Sequence, residues 1–73
     1  MDINYERHLG ENIRKLRKAR KLTQEQLAAK LQVSGCDISR SALAKIEVGQ
    51  RHLYPDELKA LKQEIDMLRR WRG

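Results

Sequence analysis

Three aromatic residues, Tyr5, Tyr54 and Trp71, are too few for the stacking platforms that read single-stranded bases. The single Cys36 cannot close an internal disulfide, and one thiol with His8 and His52 makes no metal framework. No apolar run approaches the roughly 20 residues of a membrane span. The opening MDINYERHLG has no apolar core of a secretion signal, so a cytoplasmic protein with no membrane attachment is expected. One Pro and four Gly leave few natural breaks. No stretch alternates apolar and polar residues with β-branched enrichment, and no repeat or low-complexity tract occurs. What remains is short and basic. Seventy-three residues suffice for one domain without a deep enclosed pocket, and sixteen Lys and Arg against ten Asp and Glu leave a formal charge of +6. Such an excess favours a polyanionic partner, either nucleic acid or an acidic membrane surface.

The apolar spacing predicts an all-α fold of four helices. Across residues 4–20, Leu9, Ile13 and Leu16 recur at helical intervals with Ala19 extending the stripe, and Gly10 weakens the early part. The opposite face carries Arg14, Lys15, Lys18 and Lys21, either a solvated face or a phosphate contact at the edge of a DNA site. Thr23-Gln24-Glu25-Gln26 has the form of a capping box and opens a helix over about 24–31, with Leu27, Ala28 and Leu31 inward and Val33 packing just beyond. Ser34-Gly35-Cys36-Asp37 is turn composition. Ser39 can cap a third helix, 40–48, that buries Leu43 and Ile46 and stops at Gly49. Pro55 suits the first turn of a fourth, 55–70, where Leu58, Leu61, Ile65 and Leu68 follow a 3-4-3 spacing. Asp56 and Glu57 complement its positive end, and Arg69, Arg70 and Arg72 its negative end.

Two short helices with apolar inner faces and a tight connection describe a helix-turn-helix. The first helix of such a pair needs a small residue where the second crosses it, and Ala28 stands there. The second must turn short or polar residues outward to enter a major groove about 12 Å wide. Arg40, Ser41, Ala44 and Lys45 form that outward stripe.

Over residues 10–65 the chain resembles the lambda-repressor/Cro-like (xenobiotic-response-element) helix-turn-helix family. Leu22-Thr23-Gln24-Glu25-Gln26-Leu27-Ala28, followed by Ile46-Glu47 with Gly49 shortly after, carries the resemblance. It implies a four-helix domain, spanning 1–73 as one unit, that binds double-stranded DNA. Gln24 and Ser39 are then expected on phosphates, and Arg51 and His52 in a loop that runs along them. Arg40, Ser41 and Lys45 are expected at base edges, and Ala44 against a thymine methyl. Arg17 and Glu47 match a pair that ties the first helix to the end of the third. Two departures stand out. The connection between Ala28 and Leu43 is longer than the family's compact turn by about the stretch Gly35–Ser39, which bears on the docking angle, and a fifth helix often present in the family is missing.

The apolar stripe of the fourth helix continues beyond what three short helices can cover, so Ile65, Leu68 and Trp71 are the expected homodimer surface. Together these readings give a transcriptional repressor acting as a homodimer on a pseudo-palindromic operator, in a bacterial cytoplasm or a phage-infected host, close to the nucleoid. The alternative is an antitoxin or bridging module that holds a protein partner, a toxin or another regulator, through the same helix. RNA binding is weaker for lack of stacking aromatics. No nucleophile–base pair, metal spacing or phosphate-cradling glycine loop points to an enzyme. No cofactor and no metal are expected.

Overall fold

The computed structural model describes the backbone of residues 3–72 and, within it, the side chains of residues 4–65. Four helices follow one another: α1 (Ile3–Ala19), α2 (Gln24–Val33), α3 (Arg40–Glu47) and α4 (Pro55–Arg72). Within the described residues there is no strand. α1 and α2 both pack against α3, and α2 also packs against α4. Ile13, Leu27, Leu31, Leu43, Ile46, Leu53, Leu61 and Ile65 form the core with Ile38, and Leu9, Leu16, Leu22 and Leu58 press on its margin.

The helix starts are fixed by local chemistry. At α2 the Thr23 hydroxyl accepts from the Gln26 N–H at 3.0 Å, while the Gln26 side chain accepts from the Thr23 N–H at 2.9 Å. This reciprocal cap satisfies two donors that the first turn would leave orphaned. At α3 the Ser39 hydroxyl accepts from the Ala42 N–H at 3.1 Å. At α4 Glu57, in the first turn, reaches back to accept from the Tyr54 N–H at 3.1 Å.

The ends of α1, α2 and α3 share one solution. After each helix a residue with positive φ turns the chain, and the next N–H reaches a carbonyl five residues back: Leu22 to Arg17 at 3.1 Å, Cys36 to Leu31 at 2.8 Å, Gln50 to Lys45 at 2.8 Å. The turning residues are Lys21 (φ 58), Gly35 (φ 92) and Gly49 (φ 76). This is the Schellman arrangement, which satisfies the last carbonyls and reverses the chain in few residues. Two of the three carry no Cβ to strain; Lys21 does.

Three local expectations are corrected. Val33 does not pack beyond α2 but is 90% exposed, because two residues past Leu31 the helix has turned about 200° from its buried stripe. Ala19 likewise falls on the exposed side of α1. Ile65, expected at a dimer surface, is a core residue at 2% exposure. Leu58, Leu61 and Ile65 line one side of an apolar groove whose other side is Leu9, Ile13 and Leu16 of α1, and the Ile65 side chain itself is spent on the core. The Arg20 Nε–H donates to the Ile65 carbonyl at 3.0 Å and fastens α4 at that point. The other two residues of that expected surface, Leu68 and Trp71, lie outside the residues whose side chains are described.

The longer α2–α3 connection does not loosen the pair. Ile38, in its middle, is 0% exposed and joins the core, so the added residues fold down as an anchored strap. Gly10 has a packing role that helix propensity does not reveal. A Cβ there would strike the carbonyl oxygen of Ile46 and stand 2.7 Å from that of Glu47. Glycine lets α1 rest directly on the backbone at the end of α3.

Candidate nucleic-acid interface

A recognition helix must be held from behind by packing and leave its outer stripe free. α3 meets both conditions. Leu43, Ile46 and Glu47 are buried, whereas Arg40, Ser41 and Lys45 are exposed and Ala44 is half-buried. Arg40 also lines an open cleft that runs to the start of α2, bordered by Lys18, Lys21, Thr23, Gln24 and Glu25. Residues from α1, the start of α2 and the start of α3 therefore share one largely cationic edge. That is the arrangement a polyanion running past two helix N-termini would meet.

Behind this edge a buried ion pair connects three helices. The Arg17 guanidinium donates from Nε to Glu47 Oε2 at 2.7 Å and from its second terminal nitrogen to Glu47 Oε1 at 3.0 Å. Its remaining arm donates to the Leu22 carbonyl at 2.8 Å. Gln24 completes the set, its amide donating to Glu47 Oε1 at 3.0 Å. The Glu47 side chain is 1% exposed. No buried side-chain nitrogen or oxygen among the described residues lacks a partner. A fork-to-carboxylate pair fixes direction as well as distance, so α3 is held at a set angle to α1. Gln24, expected on a phosphate, thus has its side-chain amide engaged inward. The start of α2 retains the backbone N–H of its first residues for an anion. The Ser39 hydroxyl spends its acceptor side on the α3 cap and keeps its O–H to donate outward.

Both loop residues expected along phosphates have partners within the chain, Arg51 half-buried and His52 exposed. Arg51 donates with two nitrogens to the two carboxylate oxygens of Glu57, each at 3.0 Å, and also to the His52 carbonyl. The Arg51 hydrogen bonds draw the Glu57 carboxyl below the ordinary glutamate range against the opposing effect of burial, with the Tyr54 N–H adding to the shift. The same pairing raises the Arg51 guanidinium above its already high value. His52 Nδ1 lies 2.6 Å from Glu6 Oε1, and its ring meets that of Tyr54 edge-on at 4.8 Å. The physical reason is proximity: α1 brings Glu6 beside the His52 ring, and α4 brings Glu57 beside the Arg51 guanidinium. Sequence spacing over 46 residues could not have paired Glu6 with His52. In the sequence Glu57 marks the positive end of α4, and its hold on Arg51 follows only from the path of the loop between α3 and α4.

Cys36 sits half-buried at the core margin, its thiol pushed up by burial and then by the nearby Glu57 and Asp56. Among the described residues, no group of three or more His, Cys, Asp or Glu is placed to hold a metal ion and no helix is long and apolar enough to cross a membrane.

A match to the helix-turn-helix family of lambda-repressor/Cro-like type (HTH_3) covers residues 13–66, from the middle of α1 into α4. The chain belongs to that family. It is a DNA-binding transcription regulator with the family's all-α fold. No curated protein and no solved structure gives a match. The matched region contains α2, the anchored connection and α3 in full, together with both members of the Arg17–Glu47 pair.

Proposed function

We propose that this helix-turn-helix protein is a sequence-specific repressor that binds duplex DNA as a homodimer on a pseudo-palindromic operator in the cytoplasm. The observation that carries the reading is the outward stripe of α3. Arg40, Ser41 and Lys45 are exposed on a helix whose inner face is buried and whose direction is set by the Arg17–Glu47 pair. Two such helices would dock in successive major grooves about 34 Å apart and block the site to other proteins. Arg40 would donate bidentately to a guanine, Lys45 to a second base edge and Ser41 to either, with Ala44 against a thymine methyl. Lys18 and Lys21 lie beside the start of α2 to neutralise a phosphate run. The dimer contact is assigned to the end of α4 beyond Ile65, where Leu68 and Trp71 continue the apolar spacing in the sequence.

Selection of the purified chain on a random duplex library, with sequencing of the bound pool, tests this directly. A two-fold-symmetric motif is expected. Arg40→Ala and Lys45→Ala should each lose base preference at one position per half-site, by about 1–3 kcal/mol of discrimination, and keep the rest. No enriched motif, with variants and parent indistinguishable, would remove the base-reading assignment and leave a protein partner as the better account of the domain.

A further inference from the structure

The strap between α2 and α3 carries an acidic residue, Asp37, two positions ahead of the Ser39 cap of α3. Gly35 turns the chain out of α2, and the Cys36 N–H is tied back to the Leu31 carbonyl at 2.8 Å. The Ile38 N–H then closes on the Cys36 carbonyl at 2.9 Å, a three-residue turn with Asp37 at its apex. Both neighbours of Asp37 are fixed inward: Cys36 packs on the core margin and Ile38 is fully buried. Asp37 is exposed, as is Ser39 on the other side of Ile38, immediately before Arg40. Among the described residues no hydrogen bond or ion pair engages the Asp37 carboxylate.

Binding through the phosphate backbone gains from every cation and loses from every anion brought near it. Arg40, Lys45, Lys18 and Lys21 fit that requirement, and a carboxylate carried on an anchored backbone three residues ahead of Arg40 works against it. A carboxylate can only accept hydrogen bonds, so the duplex groups that suit it are the exocyclic amino groups displayed in the major groove. Cytosine N4 is the one acidic side chains match best. Given that α3 is the reading helix, which this inference takes from the preceding proposal, we infer that Asp37 is a specificity-determining residue that accepts from a cytosine amino group at the flank of each half-site, next to the base pair met by Arg40. Asp37 thereby trades affinity for all sequences against selection of one base. The anchoring of Cys36 and Ile38 is what makes such a role workable, because it holds the Asp37 backbone at a set place ahead of α3.

The same library selection, run on the parent, Asp37→Asn, Asp37→Ala and Arg40→Ala, tests it, together with titrations on the selected duplex and a scrambled one at fixed salt. The parent should show a cytosine at one flanking position. Asp37→Ala should lose that preference by at least about fivefold, keep the positions that depend on Arg40, and bind the scrambled duplex more tightly. Asp37→Asn, which matches the carboxylate in shape, should move the preference towards adenine, whose N6 and N7 suit an amide. If both variants keep the parent motif at every position and tighten on selected and scrambled duplexes alike, Asp37 is only a repulsive charge and the inference fails. A parent that enriches no motif defeats the reading of α3 itself and this inference with it. A parent motif that loses positions in Arg40→Ala but is untouched in both Asp37 variants defeats this one alone.

Discussion

Glu47 is a carboxylate almost without solvent, satisfied by two nitrogens of Arg17 and one of Gln24. An ion pair in this setting adds little net stability over a well-packed apolar pair, yet removing one member strands a buried charge. Glu47→Ala should therefore lower unfolding stability by about 3–5 kcal/mol in equilibrium urea denaturation. The double replacement Arg17→Met with Glu47→Leu should recover most of that loss, because no charge is left unpaired. Equal losses in the single and double variants would show that the packing of the long side chains, and not the stranded charge, dominates. The double variant also separates stability from function, since it removes the hydrogen bonds that set the direction of α3. At this scale the sequence was legible only in part. Arg17 and Glu47 were recognisable as partners through family resemblance, whereas the share taken by Gln24 depends on how α2 meets α3, which residue spacing does not encode. Ile38 stood in a stretch of turn composition without periodicity, so nothing marked it as core.

The three Schellman ends differ in one respect that bears on both stability and binding. Gly35 and Gly49 adopt positive φ without strain, and Gly49 could be read from the sequence as a helix stop. Lys21 adopts φ 58 with a Cβ in place, which costs an ordinary L-residue about 1 kcal/mol or more. Nothing in a lysine announces a left-handed turn, so the end of α1 was legible only to within a residue. Replacing Lys21 with glycine relieves the strain but frees the unfolded chain, for a net gain of about 0.5 kcal/mol. It also removes a cation from the cleft that holds Arg40. Stability and binding should thus move in opposite directions. Lys21→Gly should melt slightly higher while binding DNA more weakly, with a log–log salt slope reduced by about 1. A variant that melts higher and binds as the parent does would take Lys21 out of the phosphate contacts. Elsewhere the elements were readable because an amphipathic stripe repeats: Leu27 with Leu31, Leu43 with Ile46, Leu58 with Leu61. Where the stripe ran out, at Val33 and Ala19, composition without geometry misplaced the residue.

Across the whole molecule, the loop between α3 and α4 acts as a clasp. His52 reaches Glu6 on α1, Arg51 reaches Glu57 on α4, and Glu57 also holds the Tyr54 N–H. Because the Glu57 carboxyl is held below its ordinary range, its contribution to stability is complete above the unfolded glutamate value. It is lost as pH falls through the lower folded value. Glu57→Gln should accordingly unfold at lower urea than the parent at about pH 7, with the gap closing as the solution is taken to about pH 3. A gap that stays constant over that span would mean that the hydrogen bonds, and not the charge, carry the contribution. The clasp gives Arg51 and His52 partners within the chain, whereas Lys18, Lys21 and Arg40 border the open cleft at the start of α2.

The bare contact at Gly10 gives the cationic edge a fixed aim. With no side chain between them, α1 and the end of α3 are separated by backbone alone, and backbone does not repack as side chains do. The position of α1 is thus handed to the recognition helix with almost no slack, as a gunsight is seated on its barrel. An added methyl group at residue 10 would meet the carbonyls of Ile46 and Glu47 and shift α3, with its exposed Arg40 and Lys45, as one piece. On the proposed reading of α3, a change at a residue with no polar side chain would then alter how the helix meets a duplex.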